Sequence, residues 1–412
     1  MKIQTKAIIA SIGAYLIGMG AISVTPALHA IGATFSDQGT MMIQMISTLP
    51  PFFIAIGNLI APAVANLISK KATLIIAQVL FLVGILPVWF HDSFMLILVT
   101  RAILGLGVGL MMPLAEDLIF THSETPKIAN RAIGWMNSAG GAGAIFFALV
   151  GGVLVAISWV ATFWVHLLGI LTLIIVIAFC PQDHPRQEEH DKSKFTVTGK
   201  SFFYAVICFL YILFFNNHTV NLSFVIAQTP SLVGGGGEAA VGANTGIAMA
   251  IFLVGLVVSG IIYGPIGNKL QELSLPVGVA VSAIALFGCA FSGSLVMLSI
   301  ACFLAGIGMG FFMPGVMNGA AKGAKSPQTV AFAMSLVGVL MTIGQFICTY
   351  VATPITIAIF GMGTSNPAVE AGSPLASNIY IVCGVALVII CIVTIFTEIG
   401  KARKSWAAEP AK

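Results

Sequence analysis

The sequence is poor in charge. Asp, Glu, Lys and Arg make up 8% of its 412 residues, while 58% are apolar. A water-soluble domain carries about 25% charge, so this chain has no polar coat to turn toward water. Its seven cysteines, at 180, 208, 289, 302, 348, 383 and 391, form no C-x-x-C and show no ligand-like spacing with a histidine. Neither a disulfide framework nor a metal site is expected, and the thiols read as helix-packing groups. The loop G-x-x-x-x-G-K-[ST] is missing, which excludes ATP hydrolysis by this chain alone. The 44 glycines follow no three-residue period, and the apolar content is far too high for disorder. No cofactor motif and no catalytic constellation is found, so an enzyme is not expected.

What is present is a series of continuous apolar runs, each roughly twenty residues long, the length that crosses a bilayer as a helix. A membrane β-barrel would instead show short alternating segments. Twelve spans are expected, at about 7–29, 41–68, 73–90, 94–119, 131–154, 159–180, 202–227, 244–267, 275–292, 294–318, 329–360 and 377–398. The first follows Lys2 and Lys6 but is too long for a signal-peptide core, so it counts as a span. With both termini on the cytoplasmic side, 17 of the 18 Lys and Arg residues fall on inner segments and none on outer loops. This is the positive-inside bias, and it explains the net charge of +4 without a nucleic-acid partner. The eighteenth, Arg101, lies inside span four.

The longest polar stretch, residues 181–200, divides the chain near its midpoint and reads as a solvated linker. Six spans precede it (1–180) and six follow it (201–412). A gapless shift of 201 places GLGVGLMMP (105–113) on GIGMGFFMP (306–314), Pro126 on Pro327 and Gly143 on Gly344. One register carried across two spans in each half indicates duplication, and internal repeats are the usual build of transporters that rock about a midplane site. Gly105, Gly109, Gly306 and Gly310 are expected to let helices approach closely.

These features resemble the major facilitator superfamily, most of all its drug:proton antiporter branch. The span-four signature R-x-x-x-G-x-G-x-G appears as Arg101, Gly105, Gly107 and Gly109. The loop signature G-x-L-A-D-R-x-G-R-K corresponds to Pro62 through Lys71, keeping Ala65 and the basic pair Lys70–Lys71, with Asn66 in place of the aspartate. After span eight the equivalent stretch, Gly264 to Lys269, again has an asparagine, Asn268, at the acidic position. The span-five motif keeps its closing Gly151–Gly152 and loses its Gly-Pro. The resemblance implies an all-α membrane protein with twelve transmembrane helices in two pseudo-symmetric six-helix bundles. It also implies a cytoplasmic gate in which Asn66, Lys70, Lys71, Asn268 and Lys269 take part.

Several polar residues inside spans are candidates for transport chemistry. An arginine inside a span costs on the order of 2.5–3.5 kcal/mol on insertion scales, so Arg101 should face protein or water. It is either a countercharge for cargo or a lock on backbone carbonyls of span one. Glu116 and Asp117 read as the only carboxylates near the hydrocarbon layer. Fifteen residues at 1.5 Å put Glu116 roughly 22 Å from Arg101, too far to pair. Glu116 is a proton-coupling candidate, while a gate salt bridge from Asp117 or Glu116 to Lys70 or Lys71 is the favoured reading.

Span seven gathers Asn216, Asn217, His218 and Asn221. Cargo hydrogen bonding is favoured for Asn217 and Asn221 over mere helix-to-helix bonding, with His218 as a titratable member. Asn137 and Gln345 are further cavity candidates, and His166 reads as a packing residue.

Span one has no acid to attract a lipophilic cation. The expected function is therefore secondary transport of a small neutral, amphipathic or anionic organic compound, by proton-coupled export. The alternatives are a facilitator or uptake permease for an organic anion, a lipid flippase, and a non-transporting sensor. The expected setting is a monomer in the bacterial cytoplasmic membrane, with no cofactor and no metal.

Overall fold

The structure, a computed structural model, describes residues 2–182, 198–270, 273–322, 327–361 and 373–408, apart from some side chains in and beside the gaps. Most of the expected linker at 181–200 lies outside the described residues. Every regular element among the described residues is helical. Among the described residues, eleven helical segments are long and apolar enough to cross a membrane. The ninth of the expected twelve spans is a shorter apolar helix, Ser274–Ala290, of 17 residues. Spans one to six run Ile3–Thr34, Thr40–Ile68, Lys70–Val88, Phe94–His122, Pro126–Leu154 and Val160–Phe179. Span seven is Gly199–Val220 and span eight Gly237–Leu270. Spans ten to twelve are Leu295–Lys322, Pro327–Phe360 and Leu375–Ala408.

Helix starts follow local chemistry. Ser93, Thr125 and Thr198 each accept a hydrogen bond from the backbone N–H three residues on, at 3.4, 3.3 and 3.2 Å. Each thus satisfies one of the orphan donors at the start of spans four, five and seven. Pro126 follows Thr125 at the first helical position, where its missing N–H costs nothing.

Span one, expected as a plain helix over 7–29, is composite. It is α-helical over Ile3–Leu16, 3₁₀ over Gly20–Ala27 and α-helical again over Leu28–Thr34. Pro26 lies inside the 3₁₀ stretch, where it removes a donor and prevents a regular α-turn. Spans three and six carry 3₁₀ stretches of their own, Val83–Val88 and Val160–Leu167.

The chain forms two compact units. One comprises Met1–Gln38, Met42–Lys192 and Gly236–Gly246; the other comprises Gly39–Met41, Ser193–Gly235 and Ile247–Lys412. In the first, a Cβ on Gly105 would lie 2.5 Å from the carbonyl oxygen of Pro50, and one on Gly109 would run into that of Ile54. Span four therefore touches span two backbone to backbone. Gly107, on another face, lies against Ala77 of span three.

The second unit repeats the pattern. Gly306 lies against the carbonyl of Phe252 in span eight, Gly310 against Ser259, and Gly308 against Gly278 of span nine. Ala77 and Gly278 are themselves 201 residues apart, so the repeat extends from the sequence into the choice of packing partner.

These contacts leave no room for a side chain. Gly109→Leu and Gly310→Leu should each lower stability by about 1–3 kcal/mol or more, read as a lower thermal midpoint in detergent. Gly134→Ala and Gly338→Ala, where an added methyl meets nothing within 4 Å, should leave the midpoint unchanged or slightly higher.

Candidate functional site

Arg101 is fully buried in the first unit and faces protein on every side. Its Nε donates to the carbonyl of Ile46 in span two at 3.2 Å, and its Nη2 to that of Ala21 in span one at 2.5 Å. The Ile46 carbonyl is available for a reason written in the chain. The residue four further on is Pro50, which has no N–H to close the helical bond back to Ile46. Ala21 belongs to the 3₁₀ stretch of span one, where hydrogen-bond geometry is poorer than in an α-helix.

The third contact is with His166, whose Nε2 lies 3.4 Å from Arg101 Nη1. The Nδ1 of His166 lies 2.8 Å from the Phe163 carbonyl, so it must carry the proton and donate. That leaves Nε2 as a lone pair, accepting from the guanidinium. His166 does more than the packing expected of it: it completes the arginine's shell, wedged beside Phe81 and Phe163. The guanidinium thus ties spans one, two and six to span four, which is the locking arrangement, and no open face is left for cargo.

Near the other end of span four the carboxylates diverge. Asp117 forms an ion pair with Lys70. Thr121 sits between the two, donating to Asp117 Oδ1 at 3.2 Å and accepting from Lys70 Nζ at 3.3 Å. Glu116 accepts from the Tyr15 hydroxyl of span one at 3.4 Å.

Spans two and three are joined by one residue, Ser69, at φ 95° and ψ 154°. Ser69 stands where the loop signature carries its second glycine, and its backbone explains why that signature wants one. Its hydroxyl caps span three by accepting from Ala72 N at 3.2 Å. Asn66 and Lys71 are half-buried nearby. Asn268 and Lys269 fall in the last turn of span eight, and their side chains lie outside the described ones.

In the second unit, span seven breaks where its polar cluster lies. The helix runs to Phe215, resumes for one turn over Asn217–Val220, and resumes again at Leu222–Gln228. Asn217, His218 and Asn221 are fully buried. Asn217 Nδ2 donates to the carbonyl of Leu213 at 3.0 Å, and Asn221 Nδ2 to that of Asn217 at 3.1 Å. Asn216 reaches the Gln345 carbonyl at 3.5 Å. The Asn217 amide therefore serves the interrupted backbone, Asn221 adds a second donor to a carbonyl that keeps its helical N–H, and Asn216 reaches across to span eleven. The favoured expectation instead has Asn217 and Asn221 facing cargo. Asn137 is exposed on span five, and Gln345 is half-buried on span eleven.

A carboxylate that the expectation omits lies in span twelve. Glu398 is 1% exposed and accepts from the Tyr204 hydroxyl of span seven at 2.7 Å. Its place just ahead of Lys401 and the basic tail hides it among residues that mark the span's end. Cys289, Cys302 and His218 also come together, from three different helices. No spacing in the chain shows this.

Two outcomes follow. Arg101→Lys cannot reproduce the three-way fork, and leaving one buried carbonyl unsatisfied costs about 1–3 kcal/mol. Its thermal midpoint should fall, and Pro50→Ala, which restores the N–H for Ile46, should recover part of the loss. Ser69→Gly should raise the midpoint, because the strain removed, about 1–3 kcal/mol, exceeds the few tenths lost with the cap.

The model of the Major Facilitator Superfamily matches residues 9–237, more than half of the chain. The multidrug efflux pump SdrM of Staphylococcus aureus (strain N315) is 28% identical over 189 residues, which is 45% of this chain and 41% of the pump. The match therefore spans less than half the length of that relative. A point mutant of the nucleoside transporter NupG superposes with a TM-score of 0.76 at 9% identity, covering 96% of this chain and 99% of that one. A bacterial homologue of the human lysosomal transporter Spinster, inward-facing and unoccupied, gives 0.70 at 15% identity, covering 96% and 95%. A D-xylose–proton symporter gives 0.61 at 15%, covering 92% and 96%. At such identities these structures speak for the fold. With its apolar helices, its arginine–glycine signature in span four and this match over half its length, the chain belongs to the Major Facilitator Superfamily and is an integral membrane protein.

Proposed function

We propose that the protein is a proton-coupled exporter of small organic compounds, working by alternating access of the halves 1–180 and 201–412. The observation that carries this reading is the Tyr15–Glu116 pair. It sets a half-buried carboxyl from span four against a hydroxyl from span one, a position from which a proton can be exchanged as the helices shift. The partial likeness to a multidrug efflux pump supports export over uptake.

The cargo class follows from what span one lacks. With no Asp or Glu between Ile3 and Thr34, a lipophilic cation finds no deep countercharge there, so neutral or amphipathic compounds fit best. An anionic cargo would need a cation with an open face, and Arg101 is enclosed. Asn137 and Gln345 are the proposed cargo contacts. The Asp117–Lys70 pair is the proposed gate on the cytoplasmic side, with both termini on that side and Asn66, Lys71, Asn268 and Lys269 contributing.

Purified protein in proteoliposomes with an imposed pH gradient should accumulate a neutral amphipathic drug against its concentration difference. A protonophore should abolish the accumulation. Glu116→Gln should lose the coupling, by about 10²-fold or more in the gradient-driven rate, while keeping downhill exchange. Downhill flux alone, indifferent to the protonophore in the parent protein, would mean a facilitator and sink the proposal.

A further inference from the structure

We infer that His218, Cys289 and Cys302 form a buried binding site for one soft divalent cation, Zn²⁺, within the second unit. His218 sits on the single helical turn Asn217–Val220 in the break of span seven. Cys289 lies at the end of span nine and Cys302 in span ten. The ligand atoms of the three side chains all lie within 4.8 Å of one another, and all three residues are fully buried.

The decisive observation is the histidine. Neither ring nitrogen of His218 reaches a nitrogen or oxygen partner among the described residues, and both are buried; the polar group that faces the ring is the Cys302 thiol, a weak donor. A buried polar group left this way costs free energy, and native interiors seldom tolerate it. His166 in the first unit shows the contrast: its nitrogens face the Phe163 carbonyl and Arg101.

Everything else about His218 is held. Its ring packs among Phe252, Phe215 and Tyr380, at centroid distances of 5.2, 5.9 and 6.3 Å. Its backbone carbonyl accepts from the Tyr380 hydroxyl at 2.7 Å. The residue is thus fixed in place while its nitrogens are left beside two thiols.

The donor set selects the ion. Two sulfurs and an imidazole suit soft or borderline metals; Mg²⁺ and Ca²⁺ require oxygen ligands, and the cluster contains no carboxylate. In a low-dielectric interior the net charge of the filled site decides between soft ions. Zn²⁺ with two thiolates and a neutral imidazole is uncharged, whereas Cu⁺ would leave one negative charge. Filling the site replaces two S–H bonds by two Zn–S bonds, and the two protons leave to solvent.

Zinc bonds of about 2.3 Å to sulfur and 2.0 Å to nitrogen put ligand atoms roughly 3.5–3.8 Å apart. The cluster would therefore contract by about 1 Å, within reach of small rotamer shifts. Because it is closed to the surface, the site acts as a staple joining the break in span seven to spans nine and ten. It stands independently of the transport proposal.

The test uses the full chain, expressed in zinc-replete cells and purified in detergent under mild reduction. Native mass spectrometry should find about one zinc per chain, and exchange with Co²⁺ should give the near-ultraviolet band of thiolate-to-cobalt charge transfer. Cys289→Ser and Cys302→Ser should lose the band, and His218→Ala should weaken binding at least about tenfold. Cys180→Ser, in the other unit, should keep the full signal. If His218→Ala fails to fold, the two serine variants, which barely change side-chain volume, still decide. A metal-free protein with no cobalt band overturns the inference, as does a band that survives replacement of both cysteines. So does alkylation mapping that finds Cys289 and Cys302 joined as a disulfide.

Discussion

A backbone carbonyl that loses its helical donor inside a bilayer has no water to turn to, and some side chain must replace the missing N–H. Much of this protein's intramembrane polarity answers that one requirement. Pro50 strips the donor from the Ile46 carbonyl and Arg101 caps it, while also donating to the Ala21 carbonyl in the 3₁₀ stretch of span one. In the other unit the break in span seven is closed by Asn217, which turns its amide onto the carbonyls of Leu213 and Phe214 in the preceding turn. One unit uses a guanidinium and the other the carboxamide of Asn217, and in both a side chain answers a carbonyl that the interrupted helix left open.

This reassigns residues that look like binding groups when read along the chain. Polar side chains near the middle of a span attract a cargo interpretation, yet Arg101, Asn217 and Asn221 are enclosed and already bonded to backbone. The buried and half-buried carboxyls lie nearer the helix ends. Glu116 meets Tyr15 in one unit and Glu398 meets Tyr204 in the other, each a carboxyl accepting from a phenol. His218 is a different case, since it is as deeply buried as Arg101 while its nitrogens face thiols rather than carbonyls.

The glycines carry the duplication into three dimensions. Gly105, Gly107 and Gly109 meet the backbones of spans two and three, and Gly306, Gly308 and Gly310 meet spans eight and nine, with contact partners offset by about the same 201 residues. Close backbone approach of this kind depends on the absence of a side chain on one face. It is therefore written directly into the sequence, and a gapless alignment of the two halves exposes it. The Ser69 junction is legible in the same way: a signature position that wants glycine is a backbone position at positive φ.

By itself the sequence determined the helical class, the spans, the duplication and the close-packed glycine faces, because each depends on local composition or on a period along one helix. The freed Ile46 carbonyl was also there to be read, four residues before Pro50. Only the tertiary structure decided who answers it. The partners of Arg101 lie 80, 55 and 65 residues away, and no periodicity links positions on different helices. The same holds for Glu398 with Tyr204, and for a histidine and two cysteines from three separate spans. Their meeting is set by how the helices pack, and a pattern read along one chain carries the faces of helices but not the pairing of those faces.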